Sequence, residues 1–485
     1  MQLTKQNLFS KDFLQIFILL IFTFAVLALP SKVTIILTTL VFIIFAFIKP
    51  FESILYLVIY VAIRPFLIEV NSGMKYIGDI ITFILLVKCL ISSKFDMKNL
   101  LKFKLFEWAF FIFLLFGALI GYLNGVSVGA ILFQVRTFII MYFIYFFLSR
   151  SQLPINFMAK LAWTGVGLGW LLALHGIIEK ISIRQWLLPY NWKHMALSPE
   201  NISRIYGLVG NPNSLALVLM FCIISVFVLK HLFKNNEYKI FLNISLVLFM
   251  GIFILTFSRG TLISAVVLGV TYILLSRQFY LIKQIAISLI ASVLLVYFPI
   301  IGGVNLAQSM GVEAPEGIAG GIGERFNQTI DEKNIELMVS NGRVFYITKG
   351  FEIFSDHPIT GTGFGTFGGA ATLSYGSPIY EDYGIDLSIY YNNKIYSDNQ
   401  YIQIIAETGS IGVILFAIFL ISMVILFWKR KNTSFGQFMI ALWLSTGCSG
   451  AYYNIWELKI YTLIFFIILG IFAVQNKLYK QYSLN

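Results

Sequence analysis

The chain is 485 residues long, 58% hydrophobic and only 12% charged, with a formal net charge of +12. Soluble domains carry about 45–50% apolar and about 25% charged residues, so a soluble globular fold is excluded. The Lys and Arg residues fall in short clusters between hydrophobic runs, which is the pattern of membrane topology rather than of a nucleic-acid surface. Cys89, Cys222 and Cys448 all lie in apolar runs and imply neither a disulfide framework nor a zinc site.

In chain order the apolar runs are approximately 13–29, 33–48, 51–68, 76–91, 105–123, 129–148, 157–178, 206–229, 240–257, 260–276, 284–302, 409–428, 435–451 and 457–475. A run of roughly 20 residues spans a bilayer as a helix, and in a water-free core every amide must be satisfied within its own segment. The runs do not alternate apolar and polar residues, which excludes a transmembrane barrel. The expected fold is all-α: a polytopic membrane protein of about 12–14 transmembrane helices. The first run follows Lys5 and Lys11, but it is too long, and too closely followed by further runs, to be a cleaved signal.

The loops alternate in charge. Lys94, Lys98, Lys102 and Lys104 mark one, Arg150 and Lys160 another, then Lys230, Lys234 and Lys239, then Arg277 and Lys283, then Lys429, Arg430 and Lys431, with Lys477 and Lys480 at the end. With the N-terminus inside, all of these fall on the cytoplasmic side, so both termini are expected in the cytoplasm of a cell-membrane protein. The same parity puts Glu179 to Tyr206 and the long polar stretch Gly303 to Thr408 outside; a loop that long is commonly functional. This divides the chain into 1–203 (N-terminal helices), 204–302 (helices with outer-face arginines), 303–408 (extracytoplasmic loop carrying short helices) and 409–485 (C-terminal helices).

Arginine at the outer interface runs against the positive-inside trend. Arg259, in Thr256-Phe-Ser-Arg-Gly260, joins two apolar runs with almost no linker; it is either a snorkelling anchor or a grip for a diphosphate, which a planar guanidinium binds through two bonds. Arg204 precedes Gly207-Leu-Val-Gly-Asn211-Pro-Asn213, an interrupted helix start whose Asn211 and Asn213 are free to line a cavity. Arg343 opens an expected helix over 343–354, with Ser340 or Asn341 as N-cap and Pro358 as its stop. Arg64 and Arg136 sit inside apolar runs and mark either a functional site or a structural ion pair with Glu52 or Asp79. Gly361-Thr-Gly363-Phe-Gly365 lacks dinucleotide spacing and reads as a tight turn. Of the loop carboxylates, Asp356, Glu381, Asp382, Asp386 and Glu407 read as solvated. Asp398 stands where Ser397-Asp-Asn399-Gln-Tyr-Ile402 leads into a membrane helix, either as that helix's N-cap or as a reactive carboxylate. His175 and His357 read as structural.

Arg204 with Gly207–Asn213, Phe257-Ser-Arg-Gly260, Gly342-Arg343, His357-Pro-Ile-Thr-Gly361-Thr-Gly363-Phe-Gly365, Asp398-Asn399-Gln-Tyr-Ile402 and Glu407-Thr-Gly409-Ser-Ile-Gly412 follow one another in an order that resembles the O-antigen ligase and polymerase superfamily, the Wzy-type polymerases included. The resemblance covers about 204–427. It implies a metal- and cofactor-independent glycosyltransferase that moves glycan from undecaprenyl diphosphate to an acceptor hydroxyl at the outer leaflet, alongside a chain-length regulator and a flippase. Ligases share His-Asn, then an aliphatic residue, then Gly before a helix; here those positions are Asp398, Asn399, Ile402 and Gly409, and the aspartate favours the polymerase branch. The tryptophan that often follows the family arginine by three residues is Tyr346 here. Arg204 and Arg259 match the diphosphate-contacting arginines, with Asp398 as the proton acceptor; Arg343, Asn211, Asn213, Gly361, Gly363, Asn399 and Arg136 are the further candidates for holding substrate. A lipid-linked oligosaccharide transporter would show repeated halves and broken helices near the midplane, and no repeat is visible.

Overall fold

The computed structural model describes residues 11–482 apart from 196, 198, 234–237, 313–316, 318–335, 337, 338, 341 and 389–395. Each of the fourteen apolar runs is helix along most of its length. The helices are α1 (Lys11–Ala25), α2 (Ser31–Ile48), α3 (Pro50–Val70), α4 (Ile77–Ser92), α5 (Leu105–Leu123), α6 (Val128–Ile139), α7 (Tyr142–Arg150), α8 (Phe157–Ile181), α9 (Pro212–Leu232), α10 (Lys239–Leu255), α11 (Arg259–Ser276), α12 (Tyr280–Ser309), α13 (Arg343–Asp356), α14 (Gln400–Trp428), α15 (Ser434–Gly450) and α16 (Lys459–Tyr482). No strand occurs among the described residues. Among the described residues eight helices are long and apolar enough to cross a membrane, or nine if α6 and α7, bent by 43°, form one span. The apolar parts of α1, α10 and α16 are shorter. The protein is an integral membrane protein.

Polar side chains inside these helices turn back on their own backbone, as in Thr38 to Thr34 O (2.7 Å), Thr82 to Gly78 O (2.8 Å) and Thr446 to Leu442 O (2.8 Å). A hydroxyl that bonds one turn back needs no water, so it is tolerated in an apolar setting. The apolar faces not buried in the bundle stay outward, as Ile36, Leu40, Ile44 and Ile48 do on α2.

One end of the bundle gathers the basic loops. Arg150 Nε donates to Leu100 O (2.8 Å) and its guanidinium lies on Phe103, which brings the lysine-rich 92–104 segment against the end of α7. The opposite end carries the segment from α13 to α14 and is called the loop end below. Lys5 and Lys234 lie outside the described residues.

Two helices extend beyond the expected runs. α12 continues to Ser309 rather than 302, through a π-turn at Val293–Tyr297. α14 begins at Gln400 rather than 409, because Gln400, Gln403 and Glu407 are polar yet wholly satisfied inside the protein. α13 runs to Asp356; its N-cap is Gly342, the last extended residue, and not Ser340 or Asn341, the latter outside the described residues.

α14 is broken once, at Gly409 (φ 55°, ψ −162°), a left-handed conformation that favours glycine. The break frees backbone groups, and 358–364 fills them. Thr362 N donates to Ala406 O (3.1 Å), Gly363 N to Glu407 O (2.7 Å), Ser410 N to Pro358 O (2.9 Å) and Ile411 N to Ile359 O (3.1 Å). On its other side the same segment meets α5, where Phe364 N donates to Gly117 O (2.9 Å). A Cβ on Gly361 would stand 2.5 Å from Glu407 C, and one on Gly409 2.5 Å from Gly361 N.

Gly361→Ala and Gly409→Ala are therefore each expected to lower stability by about 2–4 kcal/mol, from a forced φ together with an overpacked contact. Gly167→Ala, in α8 with open space around it, should be neutral or slightly stabilising. Thermal unfolding in detergent checks this; equal midpoints for all three variants would contradict it.

Candidate functional site

The loop end holds the candidate residues, on segments far apart in sequence. Arg204 follows the turn after Pro199–Ile202, and three acceptors brace its guanidinium. Nε donates to Thr256 O (2.8 Å), Nη1 to Asn201 Oδ1 (3.1 Å) and Nη2 to Asn213 Oδ1 (2.5 Å). Asn213 Oδ1 also accepts from Ser258 Oγ (3.0 Å), which lies 2.9 Å from the Tyr453 hydroxyl. The turn containing Arg259 is thus tied to the turn containing Arg204. Asn211 is the N-cap of α9; its Oδ1 accepts from the amides of Asn213 and Ser214 (2.9 and 3.0 Å). Asn211 and Asn213 thus hold the arginine platform together, where the sequence left them free to line a cavity.

Arg259 is exposed at the N-terminus of α11. The residue two before it, Phe257, has φ 50°, an uncommon conformation for a non-glycine residue, which lets α10 end and α11 begin with almost no linker. Asp398 has φ 49°. Strained residues of this kind persist where the surroundings over-determine them and cluster at functional sites. Here the surroundings are visible: Ser397 N donates to Gly368 O (3.1 Å), and Ser397 Oγ meets Asn454 Oδ1 (3.2 Å).

Asp398 is not the N-cap of α14. That position belongs to Asn399, whose Oδ1 accepts from Tyr401 N (3.0 Å) and Ile402 N (3.1 Å). The capping role moves one residue along because Asp398, in the left-handed region, turns its carboxylate away from the helix. It faces Arg343 instead, Oδ2 accepting from Nη2 at 3.2 Å, with the two side chains 45% and 42% exposed. Desolvation by the surrounding protein raises the Asp398 carboxyl above its usual range, while Arg343 and, more weakly, Arg204 pull it down. Asp398 therefore stands within the field of two arginines that the chain delivers from separate segments.

Gly361 and Gly363 are buried, and their tight backbone serves the seating against α14 and α5. Glu407, expected to be solvated, is fully buried; its Oε1 accepts from the amides of Gly365 (2.8 Å), Thr366 (3.1 Å) and Phe367 (3.2 Å). A second buried carboxylate, Glu457, accepts at Oε1 from Gln403 (2.6 Å) and Gln134 (2.5 Å), and at Oε2 from Ala370 N (2.7 Å). Gln403 also reaches Glu407 Oε2 (3.1 Å). Gln134, Gln403, Asn454 and Glu457 were not singled out in the sequence; a glutamine one helical turn before Glu407 was the available signal. Among the tyrosines of 375–401, Tyr380 accepts from Gly368 N (2.9 Å) and Tyr401 donates to Gly447 O (2.6 Å), while Tyr375 is exposed; Tyr390 and Tyr391 lie outside the described residues. Tyr346 is buried against Phe367. His175 is buried with Nε2 3.0 Å from Leu187 O. Arg136 is not in this group: it pairs with Asp79, the partner considered from sequence.

Beside Arg259 a groove of about 1740 Å³ runs between α8–α12 and α15–α16. Phe257, Ser258 and Arg259 line it at the loop end, and Lys230, His231 and Arg430 line it at the basic end. Its walls between are apolar, among them Leu161, Val218, Phe253, Leu262 and Ile285.

Residues 244–417 of the chain match the family model Wzy_C, described as O-antigen ligase. The matched segment contains Arg259, Arg343, Asp398 and Glu407 but not Arg204 or Glu457. No curated protein matches the chain.

Burial pushes the Glu457 carboxyl up from its ordinary 4.5 to about 7, against the pull of Gln403, Gln134 and the Ala370 amide. Between those two pH values the folded protein holds a proton at Glu457 that the unfolded chain has lost, so this group's contribution to stability falls as pH rises from about 4.5 to 7. The contribution is up to about 3 kcal/mol. Unfolding of wild type and Glu457→Gln across pH 5–8 should show this slope in the wild type and a flatter profile in the variant; parallel profiles would contradict it.

Proposed function

We propose that this protein is a polysaccharide polymerase of the O-antigen ligase and polymerase superfamily. It transfers a growing glycan from undecaprenyl diphosphate to a hydroxyl on a lipid-linked repeat unit at the outer leaflet of the cell membrane. The observation that carries this reading is the convergence of Arg204 and Arg343 on Asp398 at the loop end, beside the turn that presents Arg259. The loop end would face outward, with the basic loops in the cytoplasm, as positive-inside statistics require. Arginines at an outer interface then have a ligand that explains them.

The donor's lipid diphosphate would lie against Arg204, Arg259 and Arg343, which grip its oxygens and stabilise the charge that builds as it leaves. Fixed cations of this kind are worth several kcal/mol. The acceptor hydroxyl attacks the anomeric carbon from the face opposite the diphosphate. The carbon–oxygen bond to the diphosphate breaks, the new glycosidic bond forms, and the configuration inverts. Asp398 takes the hydroxyl proton, a role worth about 10²–10⁴-fold. The resting pair Arg343–Asp398 suits this order of events. A diphosphate that engages Arg343 frees the carboxylate, and loss of that cation makes it the stronger base. The apolar groove beside Arg259 would take the polyprenyl chain; the 18 residues of α11 give it about 27 Å of length.

Aspartate at the position where ligases carry histidine supports polymerase over ligase. Deletion of the gene should leave single repeat units on lipid or at the surface. Full-length polymer retained on lipid would favour a ligase, and precursor trapped on the inner leaflet a transporter. Arg259→Ala and Asp398→Asn should each reduce chain growth at least about 100-fold at normal protein level. Wild-type polymer in either variant would remove that residue's role.

A further inference from the structure

Arg64 and Arg136 were marked in the sequence, and neither belongs to the site around Asp398. The fold brings them together elsewhere at the loop end. Arg64 comes from the second half of α3, Lys75 from the turn between α3 and α4, Asp79 from the first turn of α4, Arg136 from the last turn of α6, and Lys459 from the first position of α16. Arg64 Nη2 donates to Lys75 O (3.3 Å), and Arg136 Nη2 is paired with Asp79 Oδ2. Lys459 lies within electrostatic range of Arg64, Arg136, Asp79 and Lys75 together. Four basic side chains thus lie near the Asp79 carboxylate, a formal surplus of three charges. Glu457, two residues before Lys459, is spoken for by Gln134, Gln403 and the Ala370 amide. The cluster is open: Arg136 and Asp79 are 35% and 29% exposed, and Lys75 is exposed.

Like charges gathered this way repel, and although solvent screens the exposed members, an anion that bridges them relieves the repulsion further. One carboxylate leaves most of it uncompensated. A diphosphate carries enough charge and enough acceptor oxygens for two guanidinium and two ammonium groups.

The connector between α15 and α16 joins this cluster to the first site. Tyr453 meets Ser258, which holds Asn213 beside Arg204. Asn454 meets Ser397, next to Asp398. Glu457 holds Gln134, two residues before Arg136, and Lys459 stands in the cluster. From 453 to 459 the backbone reaches at most about 20 Å. A polymerase needs two lipid diphosphates at once, one on the donor and one on the acceptor, and an oligosaccharide repeat unit bridges such a span.

We propose that Arg64, Lys75, Arg136 and Lys459 form a second diphosphate site, which holds the lipid diphosphate of the acceptor while its far sugar reaches the donor at Asp398. The proposal rests on the polymerase reading for the identity of its ligand. Its test is the number of geranylgeranyl diphosphate molecules bound by the full-length protein in nanodiscs, counted by native mass spectrometry. Wild type should bind two, and R64Q/K459Q and R204Q/R343Q one each, with the lost site at least about tenfold weaker. D79N, which removes the Asp79 carboxylate, should tighten the second molecule without affecting the first. One molecule on wild type, or two undiminished on R64Q/K459Q, would overturn the site. So would displacement of the second molecule by phosphatidylglycerol as readily as by the diphosphate, which would mark an anionic headgroup site. If R64Q/K459Q loses both molecules, D79N decides: tightening upholds the site and unchanged binding overturns it. Two molecules bound by a protein whose deletion leaves polymer intact would uphold the site and sink the polymerase reading. One molecule on a protein that polymerises would sink the site alone.

Discussion

In a bilayer core no water completes an unpaired backbone group, so a helix breaks only where protein takes over its bonds. At Gly409 the carbonyls of Ala406 and Glu407 are taken by the amides of Thr362 and Gly363, and Ser410 and Ile411 find the carbonyls of Pro358 and Ile359. The polar loop is thereby part of the membrane bundle. Glu407 extends the same arrangement, its carboxylate collecting three successive amides of the loop. Everything nearer the candidate chemistry hangs from this seam: Gly368 O holds Ser397, Ser397 fixes the strained Asp398, and Asn399 starts α14.

The electrostatics follow from that placement. Asp398 gains Arg343 because α13 packs against α14, while Arg204 comes from a separate turn braced by Thr256 and Asn213. The buried pair Glu407 and Glu457 plays a different part. Their oxygens are engaged by amides and glutamines, so they shape the loop, while the pair Arg343–Asp398 stays partly exposed. The connector 451–458 is in contact with both levels, through Tyr453 at the arginine turn and Glu457 at the seam.

The helices were legible because their apolar runs are long, and each of the fourteen is helix along most of its length. Their ends were not always legible. Gln400, Gln403 and Glu407 look like loop residues and are helix, because their partners Trp456, Asn454, Glu457 and Gly365 come from distant segments that no local pattern reveals. Glu407 misread as solvated is the same failure. Arg204 and Arg259 were visible as exceptions to the expected charge trend, and Asp398 by its place where the polar loop leads into a membrane helix. That Asn211, Asn213 and Asn399 are caps and braces required the backbone to be seen. The ion pair Arg136–Asp79 was one of the alternatives the sequence offered, while the gathering of Lys75 and Lys459 around it depends on the packing of α3, α4, α6 and α16.

The central claim is that one protein with Asp398 among outer arginines joins lipid-linked repeat units to one another. The most direct measurement supplies purified protein in proteoliposomes with undecaprenyl-diphosphate-linked repeat units and no other acceptor, and resolves the lipid-linked products by size. The account predicts a ladder of longer glycans on lipid, with release of one undecaprenyl diphosphate per bond formed and no ladder from the Asp398→Asn protein. Repeat units left single by the wild-type protein, or a ladder undiminished in Asp398→Asn, would contradict it.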